Sequence, residues 1–121
     1  MKLSNQLIYE YAKELQIFNN CDIKIPVKIN FFLQKNIRLI QNTAREIESI
    51  KMSIAAEYGE VNEERTGYNI PVENTEIVNK ELNDLFAIEQ ELDIHIFKLD
   101  IFDNLELTYQ QMSAIMFMIE E

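Results

Sequence analysis

Apolar residues recur at three- and four-residue steps through most of this chain, and strand-like alternation is confined to short stretches. Leu7, Ile8, Tyr11, Leu15 and Phe18 hold helical spacing behind Ser4, whose hydroxyl can cap a helix start. The pattern therefore predicts a first amphipathic helix that ends at Asn19 and Asn20. A short strand is expected over Ile23–Ile25, before Pro26 in the first turn of the next helix. From Pro26 to Tyr58 there is neither a further proline nor a glycine, while Phe32, Leu33, Ile37, Ile40, Ala44, Ile47, Ile54 and Tyr58 supply an apolar stripe. One long helix follows, approaching ~50 Å at ~1.5 Å per residue. A rod of that length exceeds what a monomer of this size easily covers, so it either breaks or is buried by a second subunit. The second outcome makes the chain a homo-oligomer, with Phe31, Phe32 or Ile54 in the interface.

Gly59 is expected to close the long helix in the left-handed conformation. The polar stretch from Glu60 to Ile70, containing Gly67, suits a loop or small β-hairpin. A further helix is predicted from about Glu73 to Glu91, with Ile77, Val78, Leu82, Leu85, Phe86 and Ile88 on its buried side, antiparallel to the long one. Over Leu92–Leu99 the β-branched Ile94 and Ile96 alternate with polar neighbours, which predicts one strand. Thr108 and Gln111 have capping-box spacing, opening a last helix that buries Met112, Ile115, Met116 and Ile119. The fold class is thus α+β and helix-dominated: a long antiparallel helix pair, a small sheet drawn from 23–25, 61–70 and 92–98, and a C-terminal helix. At 121 residues and 47% hydrophobic composition the chain fits a single domain.

Charge narrows the partners. Twenty-one acidic against 11 basic residues give a formal net charge of −10, which disfavours general nucleic-acid binding and anionic membranes. A lone cysteine, Cys21, cannot form an internal disulfide, and no cysteine–histidine set exists for zinc. Cys21 has no sign of activation beyond nearby Lys24. The N-terminal stretch is interrupted by polar residues throughout, so no secretory leader is expected, and the apolar runs fall far short of a bilayer span. A cytoplasmic location, in a reducing compartment, is the expectation.

The starts and stops of these elements resemble a known group. Ile25-Pro26-Val27-Lys28 opens the long helix, Glu57-Tyr58-Gly59-Glu60 closes it, and Ile70-Pro71-Val72-Glu73-Asn74 precedes the next. Leu105-Glu106-Leu107-Thr108 leads to Phe117-Met118-Ile119-Glu120-Glu121. Together they resemble a family of uncharacterised small proteins, a domain of unknown function, from tailed phages and prophages of Gram-positive bacteria. The resemblance spans nearly the whole chain and implies a phage origin, with the host cytoplasm as the place of action. Its motifs are structural and carry over no catalytic or binding residue.

Candidate chemistry is sparse. Asp93 and His95, with Asp100 and Asp103 nearby, have ligand-type side chains but match no metal spacing, and a solvated strand face accounts for them. Glu46 with Glu48, and Glu63 with Glu64, are adjacent carboxylates rather than an opposed acid–base pair. No glycine-rich phosphate loop, nucleophile elbow or metalloprotease helix occurs. The chain is therefore read as a non-enzyme that needs no cofactor and no metal. One feature stands out: Lys28, Lys35, Arg38 and Arg45 project within an arc of about 100° on the long helix. Tyr58, Arg65 and Tyr68 lie near its end. Lys35, Arg38, Arg45, Tyr58, Arg65 and Tyr68 form the candidate ligand-binding set, arginine forks meeting phosphate and a tyrosine face meeting a base. The alternative is that these cations pair with Glu81 or Asp84 of the neighbouring helix, or stay solvated. The functional expectation is a counter-defence inhibitor that sequesters a host immune nucleotide signal or binds a host effector protein. The alternative is an assembly accessory, a tail or capsid chaperone.

Overall fold

The computed structural model describes residues 1–19 and 24–120. Cys21 and the first residue of the expected 23–25 strand lie outside these, and Lys24 and Ile25 take no strand. Helix α1 (Asn5–Asn19) starts as its cap predicts, the Leu7 N–H donating to Ser4 Oγ at 3.2 Å. It buries Ile8, Leu15 and Phe18. Helix α2 (Val27–Tyr58) is unbroken over 32 residues, about 48 Å of rise. Pro26 sits one place before it, its carbonyl accepting from the Asn30 N–H at 2.9 Å.

The rod is covered within one chain. Helix α1 runs antiparallel along its first half, where Tyr9 reaches Glu48 and Asn19 meets Gln34. Helix α3 (Thr75–Ala87) covers the second half, with Tyr58 bonded to Glu81. Of the residues expected in an interface between subunits, Ile54 is buried by this packing within the chain, whereas Phe31 and Phe32 remain 60% and 36% exposed. Two buried asparagines fasten the layers. Asn5 Nδ2 donates to the Leu85 carbonyl at 2.9 Å, and Asn5 Oδ1 accepts from Gln90 Nε2 at 2.7 Å, tying the start of α1 to the end of α3. Asn36, 1% exposed, pairs with both backbone groups of His95: Nδ2 donates to its carbonyl at 2.9 Å and Oδ1 accepts from its N–H at 2.9 Å.

Among the described residues the strands form three separate pairs and no common sheet. Strand β1 (Lys2–Ser4) pairs antiparallel with β4 (Glu89–Glu91), with Leu3 opposite Gln90. Strands β2 (Glu60–Val61) and β3 (Tyr68–Asn69) make the expected hairpin. Strand β5 (Phe97–Lys98) pairs in parallel with β6 (Ile119–Glu120). The helix expected to reach Glu91 therefore stops at Ala87, because 89–91 finds a backbone partner in the N-terminal strand, aided by a Lys2–Glu89 ion pair at 3.2 Å. Ile77 and Ile88, expected on the buried side of α3, are exposed. The strand expected over 92–99 shrinks to two residues. Leu92 and Ile94 are buried and Asp93 and His95 exposed, but the alternation ends at Ile96, which is exposed, and the His95 backbone bonds to the Asn36 side chain instead of a ladder.

Two local expectations change in detail. Gly59 is extended (φ −120°, ψ 176°), not left-handed. What requires glycine is crowding: a Cβ there would lie 2.7 Å from the Ala55 carbonyl oxygen and 2.7 Å from Ile70 Cδ1. The left-handed residue is Arg65 (φ 55°) in the hairpin loop, where Asn62 Oδ1 accepts from the Thr66 N–H at 3.0 Å. Helix α4 (Tyr109–Ile115) opens on a complete capping box, with Gln111 N–H to Thr108 Oγ1 at 3.1 Å and Thr108 N–H to Gln111 Oε1 at 2.7 Å. It tightens to a 3-10 turn at Met116–Met118, and the change of period buries Met118 and exposes Met116.

Replacing Asn36 by leucine keeps the branched shape but leaves the His95 N–H and carbonyl without their partner. The expected cost is about 2 kcal/mol, read as a lower urea midpoint with an unchanged slope, together with faster amide exchange at His95. An unchanged midpoint would show that the clamp carries no stability.

Candidate functional site

The six residues of the candidate set fall in three places. Lys35 and Arg38 stand exposed on the outer face of α2. Arg45, two turns beyond Arg38, lines a groove between α1 and α2. Tyr58 lies about 35 Å of helix rise from Lys35, and its hydroxyl donates to Glu81 Oε1 at 3.0 Å. That bond, then burial and the charges of Glu57 and Glu81, push its pKa upward. Tyr58 thus joins α2 to α3 and is no platform for a base held at Arg38. Arg65 and Tyr68 belong to the β2–β3 hairpin, Arg65 exposed at its turn and Tyr68 paired with Val61. No single pocket unites the six.

The alternative in which α3 neutralises these cations finds no ion pair among the described residues. Among the described residues, ion pairs join the Met1 ammonium to Glu91 and Lys2 to Glu89, and none reaches Lys28, Lys35, Arg38 or Arg45. The cause is geometric: Glu81 meets Tyr58 at the C-terminal end of α2, while the last of the four cations, Arg45, lies about three and a half turns before that end. Residues 27–45 hold four cations and no carboxylate. Subtracting those four from the formal −10 leaves −14 on the rest of the chain.

The groove at Arg45 is built by the antiparallel crossing of two helices. From α1 come Tyr9, Lys13 and Gln16, at the i, i+4 and i+7 positions of one face, and from α2 come Gln41, Arg45 and Glu48. The space is open and amounts to about 330 Å³. Its floor is fixed by Tyr9, whose hydroxyl donates to Glu48 Oε2 at 2.6 Å and whose ring meets Phe86 edge-on at 5.5 Å. The ammonium groups of Lys13 and Lys51 lie over the Tyr9 ring, 4.7 and 5.5 Å from its centre. Arg45 makes one side-chain bond, to Asn42 Oδ1 at 2.8 Å, which leaves most of its donors open. Lys13 and Arg45 therefore share the groove lining with one carboxylate, itself engaged by a phenol, and with two primary amides, while Lys51 lies over the ring of that phenol. Such a site attracts an anion and presents hydrogen-bond donors to it; with the tyrosine face already covered by lysines, it offers little for a base to stack upon.

Sequence reasoning reached Arg45 through the charge spacing of α2 but passed over Tyr9, Lys13 and Lys51. Their helical register was legible; their meeting with Arg45 depends on which face of α1 packs against α2. Glu48, read as a solvated carboxylate beside Glu46, is instead the acceptor that orients Tyr9. His95 is stacked on Phe32 at 4.2 Å and edge-on to Phe97 at 4.7 Å. Asp100 and Asp103 lie with Lys98 and Glu120 around a separate hollow. Among the described residues no group of three or more His, Cys, Asp or Glu side chains is placed to hold a metal ion. No described helix is long and apolar enough to cross a membrane. No protein-family model matches the chain, and no curated protein and no solved structure matches it either.

The Tyr9–Glu48 bond sets a pH dependence. The bond itself first, then burial and the Glu48 charge, raise the Tyr9 pKa above the ordinary phenol value. The folded state thus favours the neutral phenol, so its contribution is complete below about pH 10 and is lost as pH rises through the raised folded value. Thermal melting of the native chain should fall more steeply between about pH 9 and about pH 11 than that of Tyr9→Phe. Parallel curves would mean that the bond contributes nothing to stability.

Proposed function

We propose that this chain is a phage-encoded, non-enzymatic binding protein that acts in counter-defence by sequestering a small phosphate-bearing ligand, a host immune nucleotide signal, in the α1–α2 groove. One observation carries the reading: Lys13 and Arg45 line a groove whose lining holds a single carboxylate, with the Lys51 ammonium over the Tyr9 ring at its wall, in a chain whose overall charge is strongly negative. Cations kept together without ion pairs cost stability through mutual repulsion, and an anion removes that cost on binding. Arginine supplies a planar fork of donors for phosphate oxygens, and the Gln16 and Gln41 amides can read the sugar or base edge. A volume of about 330 Å³ suits a mononucleotide or one half of a dinucleotide. The phage origin rests on the resemblance of the helix starts and stops described above.

The protein-directed readings, inhibition of a host effector or assistance to tail or capsid assembly, draw support from a different observation. Val27 and Phe31, 83% and 60% exposed, open α2 with an apolar surface beside its cations.

Calorimetry against a panel of mono-, di- and cyclic nucleotides tests the sequestering function. At least one should bind, and Arg45→Ala or Lys13→Ala should weaken it by about tenfold or more, since a charge-assisted hydrogen bond contributes about 1.5–3 kcal/mol. The melting temperature should stay near that of the native chain. A panel without a binder, or a binder indifferent to both substitutions, removes the groove from function.

A further inference from the structure

The first turns of α2 form a second surface, apart from the groove. Val27 and Phe31 project outward, and Lys28, Lys35 and Arg38 are exposed around them. From Lys28 to Arg38 the face runs about 15 Å. Its aromatic part is held in place: Phe31 meets Phe32 edge-on at 5.1 Å, and Phe32 stacks on His95 at 4.2 Å. The His95 backbone is in turn clamped by the buried Asn36 amide. A fixed aromatic edge loses little conformational freedom on contact, which is what a docking anchor requires. Apolar exposure alone names no partner; the charge around it does.

We propose that this face docks an acidic amphipathic segment of another protein, a peptide or helix whose carboxylates meet Lys28, Lys35 and Arg38 and whose apolar side chains cover Val27 and Phe31. Three cations with no ion pair among the described residues suit an anionic partner, and two exposed apolar side chains beside them suit one that also carries hydrocarbon. A nucleic-acid strand supplies the charge, but it extends past a 15 Å face onto a body bearing the remaining negative charge, and it has no group that covers Val27. A second copy closing isologously on this face would set the cations against one another. The surface is independent of the groove, so either can fail without the other.

Selection of a displayed random-peptide library on the immobilised full chain tests it, followed by fluorescence anisotropy of the enriched peptides. Enriched sequences should interleave Asp or Glu with Leu or Phe, and should bind Phe31→Ser and the double variant Lys35→Glu, Arg38→Glu about tenfold or more weakly than the native chain. Lys80→Glu, a charge change of the same kind on α3, should leave affinity within about twofold. Thermal melts establish that each variant is folded. Enrichment without an acidic bias, equal loss in Lys80→Glu, or tighter binding of a single-stranded thymidine oligonucleotide at the same residues overturns the proposal. So does self-association of the native chain that Arg38→Glu abolishes, which would make a second copy the occupant.

Discussion

A helix of 32 residues whose apolar stripe runs nearly its full length must be covered along that length, and the rest of this structure follows from how that is done. Helix α1 and helix α3 divide the task, each antiparallel to one half of α2. Direct pairing of the two asparagine amides, Asn5 and Asn36, with backbone and side-chain groups of other segments then fixes the layers. Because the cover is applied from one side, the opposite face of α2 remains open. The unpaired cations lie between positions 28 and 45, and Glu81 of α3, beside Tyr58, stands too far along the rod to meet them.

Features specified by neighbours in sequence were legible in advance. The Ser4 cap, the Thr108–Gln111 capping box, the unbroken α2 and the 60–70 hairpin each need only residues within a few positions of one another. Features that depend on distant partners were not. Residues 89–91 read as helix because their pairing with 2–4 is invisible locally, and the 92–99 alternation read as strand because nothing nearby discloses that Asn36 satisfies the His95 backbone. Gly59 was correctly marked as a stop, with the wrong cause: crowding by Ala55 and Ile70, not a positive φ, excludes a side chain.

The candidate site divides along the same line. Charge periodicity on one helix disclosed Lys35, Arg38 and Arg45, whereas the groove needs Lys13 and Tyr9 from a second helix, and the angular match of two helix faces is a property of packing. Tyr58, Arg65 and Tyr68 were grouped with the cations by nearness in sequence to the end of α2, although a long helix separates its two ends by tens of ångströms. The outcome is two cationic surfaces of different character at successive heights of one rod. The groove, with donors converging on a small volume, fits a compact anion. The open turn at Phe31, apolar and flatter, fits a protein segment.

The groove rests on the claim that its cations are available to an anion rather than merely solvated. Titration of the isotopically labelled protein with pyrophosphate, followed by the side-chain Nε–Hε resonances of the arginines and the carboxamide resonances of glutamine, examines this most directly. Saturable shifts confined to Arg45, Gln16 and Gln41, with Arg65 unmoved, are the result expected. Shifts of similar size at Arg65 and Arg45, growing without saturation, would show generic ionic attraction and contradict a built anion site.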